Sequence, residues 1–141
     1  MKITNEFLKE KSACIEGFEW VNECGIVDLE HTDFLNYLLT HNHFDYANWL
    51  ITKLLDKDNL VRYAIFAAEQ VLDAYEKQYP EDDRPRKVNE APKEYLKTHS
   101  TAAVHAAHAV AYAVADAAYA AELKTKMINY GIQLIGEQNG N

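Results

Sequence analysis

The spacing of apolar residues predicts helices along nearly the whole chain. In residues 5–24 these residues recur close to the 3.6-residue period of an α-helix; they are Phe7, Cys14, Phe18 and Val21. Thr4 or Asn5 is placed to cap this first helix, and Gly25 to stop it, because glycine readily adopts the left-handed conformation that follows a helix. We therefore expect one continuous helix from Asn5 to Cys24.

Further helical segments follow, separated by residues that break helices. Thr32 is expected to cap a second helix through "DFLNYLLT", and "FDYANWLITKLLD" predicts a third. Asp58 is expected to cap a fourth, "NLVRYAIFAAEQVLDAYEKQY", which Pro80 ends because proline lacks an amide hydrogen and clashes with the preceding turn. After the loop "PEDDRPRK", the segment "RKVNEAPKEYLK" predicts a fifth helix that Pro92 kinks or interrupts.

An alanine-rich helix is predicted next, over "STAAVHAAHAVAYAVADAAYAAELKTK" (residues 100–126), since alanine is the strongest helix former. The pattern allows this helix to continue through "MINYGIQLI", whereas the tail "GEQNGN" is expected to fray. Only five glycines and three prolines occur, and no strand-like alternation stands out. The chain is therefore predicted to be all-α, a compact single domain over residues 1–141 with about six helices and a long Ala-rich C-terminal helix.

The alanine-rich helix has an apolar and a polar side when its residues are placed at 100° intervals. The apolar side consists of Ala103, Ala107, Val110, Val114, Ala117 and Ala121, and Ile128, Ile132 and Ile135 continue it. The opposite side, here called the polar stripe, consists of His105, His108, Tyr112, Asp116 and Tyr119, with Tyr130 beyond them. Small alanine side chains permit close approach of other helices, so we expect the apolar side to face inward.

Three interpretations of the polar stripe stay open. Its side chains are partly buried with hydrogen-bonded polar tips, or they form a surface that binds a partner, since tyrosine supplies a large contact area at low entropic cost. In the third interpretation His105 and His108, three residues apart, hold a metal ion or serve catalysis with Asp116 two turns further on. This is the weakest signal, because two histidines and a distant carboxylate lack the spacing of an established metal motif.

The fourth helix carries an acidic stripe, which consists of Glu69, Asp73 and Glu76, opposite a broad apolar face. That face comprises Leu60, Val61, Ala64, Ala68, Val71, Leu72, Tyr75 and Tyr79, and the acidic side also carries Arg62 and Phe66. Carboxylates at this spacing repel one another, so we expect Arg84 and Arg86 to fold back and pair with them. A solvated acidic surface is one alternative, and carboxylates that act in acid–base chemistry or hold Mg²⁺ are another.

The two tryptophans are predicted to be core anchors rather than binding residues. Trp49 lies in "DYANWLITKLL" among apolar residues at helical spacing, which is typical of a buried helix face.

The charge balance narrows the classes of partner. Asp and Glu outnumber Lys and Arg by 22 to 14, for a formal net charge of −8, and this charge repels a phosphate backbone. We therefore expect no nucleic-acid partner and, if a protein partner exists, a basic one, because complementary charge accelerates encounter. Hydrophobic residues make up 48% of the chain, enough for a folded core rather than a disordered tail.

The chain has neither the segments of a membrane protein nor the motifs of common enzymes. The start, "MKITNEFLKEK", is charged where a signal peptide is apolar, and no uninterrupted apolar run is long enough to span a membrane. Cys14 and Cys24 fit no zinc spacing, and two reduced cysteines are expected in a cytoplasmic protein. Phosphate-binding glycine loops and nucleophile elbows are missing, so we expect no cofactor and no catalysis.

Several quoted segments resemble the immunity proteins of bacterial polymorphic-toxin systems, a family with members in phages and prophages. They are "WLITKLL" (residues 49–55), "LVRYAIFAAEQVLDAYEKQYP" (60–80), "DDRPRK" (82–87), the Ala/Tyr/Asp helix and the start "MKITNEFLKEKSAC". The likeness covers most of the chain, although Pro92 and the two histidines depart from the family's pattern. The resemblance implies a small all-helical protein that neutralises a toxin by binding it without catalysis; in a phage, the target would be a host-defence effector.

The sequence thus predicts a non-catalytic inhibitory binding protein, with contact residues in both stripes and the arginine loop. These are Glu69, Asp73, Glu76, Arg84, Arg86, Tyr112, Asp116 and Tyr119. The alternative is a small-molecule-binding protein or metal-dependent enzyme that uses His105, His108 and Asp116 with the Glu69 and Asp73 carboxylates. Self-association through the alanine face is a third option, so a homo-oligomer stays open.

Overall fold

The computed structural model describes residues 1–82, Lys93 and residues 121–140, and these residues are almost entirely helical. The helices are α1 (Asn5–Glu10), α2 (Ile15–Glu23), α3 (His31–Thr40), α4 (Phe44–Leu54), α5 (Lys57–Gln78) and α6 (Ala121–Gly140). Within the described residues the only extended pairing is a single antiparallel bridge between Lys2 and Glu30. The predicted all-α class with about six helices is therefore confirmed.

The chain divides into two compact units, Met1–Lys53 and Leu54–Asn141. The first unit contains α1 to α3 and nearly all of α4, and the second contains α5 and α6. The sequence predicted one domain over residues 1–141, and this assignment stays a prediction. Each unit is described by itself below.

The first predicted helix is in fact two helices, so the prediction of a continuous helix was wrong. α1 ends after Glu10, and Ser12 takes the left-handed conformation with φ of 61°. The amides of Ser12 and Ala13 turn back to the carbonyls of Lys9 and Leu8, which closes α1. Cys14 then caps α2, its Sγ accepting a hydrogen bond from the Gly17 amide at 3.4 Å. Apolar periodicity continued across the break and concealed it.

Among the described residues, two of the predicted caps changed place and one did not. Thr4 caps α1 as predicted, its hydroxyl accepting from the Phe7 amide at 3.1 Å. α3 begins at His31, after Glu30 rather than Thr32, and without a side-chain cap. Asp56, not Asp58, caps α5, because its Oδ1 accepts from the Asn59 amide at 2.9 Å.

Gly25 stops α2 as the sequence predicted. Its φ is 69°, and the following amide of Ile26 bonds back to the Val21 carbonyl, the pattern of a glycine-terminated helix. The first helix was predicted to end at Cys24, and α2 ends one residue earlier, at Glu23. The predicted end is thus correct to within one residue, although the predicted helix is interrupted in its middle.

The core of the first unit is built mainly from α3 and α4, with single residues from α1, α2 and the loops. Its buried apolar side chains are Ile3, Leu8, Val21, Ile26, Phe34, Leu35, Leu38, Phe44, Ala47, Leu50 and Ile51. Trp20 and Trp49 are only partly buried, so their prediction as core anchors was wrong. The large indole ring is seldom covered completely in a unit of this size, and the ring of Trp49 lines a surface cleft of this unit.

In the second unit, α5 packs along α6. Leu60, Val61, Ala64, Ala68 and Leu72 are buried, which confirms most of the predicted apolar face of α5. Tyr63 and Ala67, which the prediction left out, are also buried, whereas Tyr79 is half exposed at the end of the helix. From α6 the buried side chains are Met127, Ile128, Leu134 and Ile135.

The predicted continuation of the C-terminal helix is confirmed for residues 121–135, and the expected fraying of the tail was wrong because α6 extends to Gly140. Gln138 explains the extension. Its Oε1 accepts from the Asp56 amide at 3.0 Å and from Asn59 Nδ2 at 3.2 Å, and its Nε2 donates to the Leu54 carbonyl at 2.7 Å. These long-range bonds hold the last turn, and no local pattern announces them.

Candidate binding cleft

A cleft of about 230 Å³ opens at the surface of the first unit. Its floor is buried and entirely apolar; it consists of Leu8, Val21, Phe34, Leu38 and Leu50. The partly exposed walls are Ala13, Gly17, Phe18, Tyr46 and Trp49, and the exposed rim is Ser12, Cys14 and Asp45. Three aromatic rings and a single carboxylate therefore surround the opening, an arrangement that favours an apolar or aromatic occupant.

The break between α1 and α2 forms one side of this cleft. The chain turns at Ser12. As a result, the next two residues, Ala13 and Cys14, lie at the mouth of the cleft instead of inside a helix. The cleft is lined by Gly17, Phe18 and Val21 of α2 and by its cap Cys14, which lie on one side of the helix. The same local geometry that ended the predicted helix thus creates the site.

Glycine at position 17 allows α2 to lie close to the wall of the cleft. A Cβ atom at this position would stand 3.1 Å from Cys14 Sγ and 3.4 Å from Cζ of Tyr46. The first distance is tighter than an ordinary van der Waals contact, so a larger side chain would push Cys14 or Tyr46 away and change the shape of the mouth. Gly17 therefore contributes to the form of the cleft through its missing side chain.

Tyr46 belongs to a group of five rings, here called the aromatic cluster. Its members are Trp20, Tyr37, His41, His43 and Tyr46. His43 stacks on Tyr46 with ring centroids 4.8 Å apart and planes within 1° of parallel. His41 stacks on Tyr37 at 3.9 Å, and Trp20 lies 4.1 Å from the His43 ring. Stacked rings of this kind stabilise one another and hold Tyr46 at the cleft wall.

The surroundings of the Tyr46 hydroxyl disfavour its ionisation. Burial raises the pKa of Tyr46 above its usual value, and the acidic groups of Cys14, Asp45 and Glu16 raise it further. Burial likewise raises the pKa of Tyr37, and its hydrogen bond with Cys24 adds to the effect. Since both shifts favour the neutral phenol, these two tyrosines are hydrogen-bonding groups and not bases at neutral pH.

Acidic residues dominate the charge of the first unit. Residues 1–53 contain nine Asp and Glu side chains and four Lys side chains, a formal net charge of −5, and all nine carboxylates are exposed. Glu16, Glu19 and Glu23 lie on one side of α2. Three of the lysines contact rings: Lys9 lies 5.5 Å from the Phe18 centroid, Lys11 5.8 Å from Phe7 and Lys53 5.9 Å from Trp49. The surface around the cleft is therefore anionic overall.

The predicted acidic stripe lies on α5 in the second unit. Glu69 Oε1 is 3.4 Å from Nζ of Lys93, so a basic group does lie beside this carboxylate. Asp73 is exposed and Glu76 is partly exposed. Arg84 and Arg86, the predicted partners, lie outside the described residues, as do Tyr112, Asp116, Tyr119, His105 and His108. The prediction that these groups form contacts stays a prediction.

Within 1–82, Lys93 and 121–140, no three His, Cys, Asp or Glu side chains are arranged to hold a metal ion. Cys14 and Cys24 are free cysteines, the first exposed and the second partly buried.

The sequence reasoning did not find the cleft, because its walls come from segments that no single pattern connects. Phe18 and Trp49 were treated as core residues, and Tyr46 and Asp45 received no role. One local signal was available: "HNHFDYANW" (residues 41–49) places five rings within nine residues, an unusual density for one loop and helix start. Such a density is typical of a contact surface, but it does not say which rings face which neighbours.

Comparison with known proteins adds no assignment. No protein-family model, no curated protein and no solved structure matches this chain significantly. In the part of the chain that the structure describes, none of the helices combines the length and the apolar character that a membrane span requires.

Proposed function

We propose that the chain is a non-catalytic inhibitory binding protein that neutralises a toxin, or a host-defence effector where the gene is carried by a phage, by direct protein–protein contact. The observation that carries this proposal is the cleft of the first unit, walled by Phe18, Tyr46 and Trp49 and set in an anionic surface. The resemblance of residues 49–87 to toxin-immunity proteins supports the biological setting.

The composition of the cleft suits protein recognition. Aromatic residues dominate the binding energy of protein interfaces when they line partly exposed pockets, and they are surrounded by residues that exclude water. Tyr46 and Trp49 are in such positions, each partly exposed beside a buried floor. The nine exposed carboxylates of residues 1–53 would steer a basic partner toward the cleft and accelerate its association.

The residues predicted from the sequence remain candidate contacts in this proposal. Glu69, Asp73 and Glu76 offer an acidic surface on α5, where Lys93 already neutralises part of the charge of Glu69. Tyr112, Asp116 and Tyr119 are proposed as further anchors for the partner, and Arg84 and Arg86 as flanking polar contacts. Substitution of each group in turn would assign its share of the interface.

The test is co-expression with the product of the adjacent gene, followed by titration of the purified proteins. A stoichiometric inhibitor is expected to co-purify with its target and to reach full inhibition at about one equivalent. Full inhibition at a small fraction of an equivalent would indicate catalysis and contradict the proposal. So would failure to hold any such target at micromolar concentration together with failure to protect the host.

Small-molecule binding is the second candidate, because the cleft could also hold a small apolar compound. Its volume of about 230 Å³ is below the range of roughly 300–1,000 Å³ that is typical of pockets for drug-sized ligands. A metal-dependent activity through His105, His108, Asp116, Glu69 and Asp73 would require bound metal. Elemental analysis of the purified protein, with and without prior chelation, separates this alternative from a metal-free inhibitor.

A further inference from the structure

The cleft has the size and lining for one large side chain. Its floor is apolar and buried, and its opening is ringed by Phe18, Tyr46 and Trp49. A cavity this small cannot receive a folded element of another protein, but it can receive a single aromatic or large aliphatic residue from an extended segment. Burial of such a side chain is the usual way in which one residue anchors an interface.

The charges around the cleft specify what should flank that residue. Asp45 is exposed on the rim, and the exposed carboxylate of Glu16 is on α2, the helix that supplies Gly17 and Phe18 to the wall. Lys9 and Lys53 lie over the rings of Phe18 and Trp49, at 5.5 and 5.9 Å from the ring centroids, and balance only part of this charge. The unit as a whole carries a formal −5, so basic residues beside the anchor are favoured and acidic residues are disfavoured.

We propose that the cleft binds one aromatic or large aliphatic side chain of the partner protein, presented in a short segment with Lys or Arg on either side. The proposal rests on the proposed function for the existence of a protein partner and adds the chemistry that the cleft recognises. A second copy of this chain is a poorer occupant, because two surfaces of the same negative sign repel each other. Asp45 acts as a specificity residue for the basic flank.

The experiment uses the full-length, ¹⁵N-labelled chain and three blocked tripeptides: acetyl-Lys-Trp-Lys-amide, acetyl-Glu-Trp-Glu-amide and acetyl-Lys-Ala-Lys-amide. The chain has two indole N–H signals, and Trp49 lines the cleft whereas Trp20 lies behind Tyr46 in the aromatic cluster. The Lys-Trp-Lys peptide is expected to shift the Trp49 signal with millimolar affinity. The Lys-Ala-Lys peptide, which lacks the Trp side chain, should bind at least about tenfold more weakly. The Glu-Trp-Glu peptide, whose flanking charges are reversed, should bind about two- to fivefold more weakly.

Two variants and one control locate the site. Ala13→Phe places a ring in the mouth of the cleft and should abolish the Trp49 shift. Asp45→Asn should weaken binding of the Lys-Trp-Lys peptide several-fold and should not weaken binding of the Glu-Trp-Glu peptide. Asp33→Asn is the matched control, since Asp33 is likewise exposed in the first turn of a helix but does not line the cleft. Asp45→Asn alters only a surface carboxylate, so it tests the proposal even if Ala13→Phe fails to fold.

Three results would overturn the proposal. They are equal affinities of the two Trp peptides, peptide binding that leaves the Trp49 indole signal unshifted, and an affinity for free indole as high as that for the Lys-Trp-Lys peptide. The last would identify the occupant as a small aromatic molecule. Peptide binding is measured without any toxin, so it can succeed while host protection fails, and then only the proposed function is lost. If Ala13→Phe is folded and still protects the host, the inhibitor stands and only the assignment of the cleft is lost.

Discussion

At the scale of single residues, Tyr63 is the clearest case of a titratable group enclosed by the fold. It lies on α5 with no exposed surface. Burial raises the pKa of its hydroxyl far above the usual value near 10, because an apolar environment disfavours the phenolate. The native second unit therefore keeps this proton, whereas the unfolded chain releases it near pH 10.

This difference predicts an alkaline loss of stability. Above about pH 10 the unfolded state binds one proton fewer at Tyr63 than the native state does, so the free energy of unfolding falls by up to about 1.4 kcal/mol per pH unit for this residue. Below that pH the contribution is constant. Tyr63→Phe removes the group, and urea unfolding between pH 9 and pH 11 should show a shallower pH dependence than in the unsubstituted chain.

Tyr79→Phe is the control for this prediction, since Tyr79 directly follows the end of the same helix but is 50% exposed. It should retain the slope of the unsubstituted chain. Equal slopes for Tyr63→Phe and Tyr79→Phe would contradict the assignment of the alkaline effect to Tyr63.

At the scale of secondary-structure elements, one side chain joins the end of α6 to the start of α5. Gln138 makes three hydrogen bonds, to the Leu54 carbonyl, the Asp56 amide and the Asn59 side chain. Asp56 is itself the cap of α5. The N-terminal end of α5 and the last turn of α6 therefore both depend on the side-chain amide of Gln138. Sequence separations of 79 to 84 residues make these bonds invisible to local pattern analysis.

Removal of this amide is expected to loosen both helix ends. Gln138→Ala leaves a backbone carbonyl and an amide without their partner, and the free energy of unfolding should fall by about 1–3 kcal/mol. Hydrogen exchange should accelerate in the last turn of α6 and the first turn of α5. Gln133→Ala is the control: among the described residues Gln133 bonds only to Glu137, on the exposed surface of α6, and its loss should cost less than about 0.5 kcal/mol. Equal costs for the two variants would remove Gln138 from this role.

At the scale of the whole molecule, charge is the dominant property. The net charge of −8 is distributed unevenly, because residues 1–53 account for −5 of it with all their carboxylates exposed. Exposed ion pairs such as Lys126–Glu122 at 3.5 Å are weak and offset little of the mutual repulsion. A chain of this kind is attracted to basic surfaces and repels copies of itself.

Salt is therefore expected to stabilise the fold. Raising NaCl from about 10 mM to about 150 mM shortens the screening length and weakens repulsion among the carboxylates, so Tm should rise by a few degrees. The double variant Glu19→Gln/Glu23→Gln, which removes two charges from the exposed side of α2, should show a smaller rise. A fall of Tm with salt would mean that attractive ion pairs outweigh repulsion, contrary to this expectation.

The accuracy of the sequence predictions followed the range of the interactions involved. Helices α3, α4 and α5 were predicted to within a few residues, because apolar spacing, Gly25 and Pro80 act locally. The break at Ser12 was missed, since the apolar period on either side of it happened to match. The predicted buried face of α5 was largely correct, but it did not include Tyr63. The helical spacing of Tyr63 places it at an edge of the apolar face, where the sequence does not decide between buried and exposed.

The candidate site was less predictable than the fold. The sequence predicted contacts in the acidic stripe and the polar stripe, of which only Glu69, Asp73 and Glu76 are among the described residues. The cleft joins Leu8 of α1, Phe18 of α2, Phe34 of α3 and Trp49 of α4, and nothing in the sequence orders these four segments around one opening.

What the amino-acid sequence determined by itself was the helical class, most element boundaries and the anionic charge, since propensity, periodicity and composition act over a few residues or simply add. Tertiary structure alone decided which rings surround the cleft, that Trp49 stays partly exposed and that Gln138 holds the last turn of α6. The physical reason is that these features depend on contacts between distant segments. Their energies are set by packing and desolvation once the helices have met, and not by any preference of the residues alone.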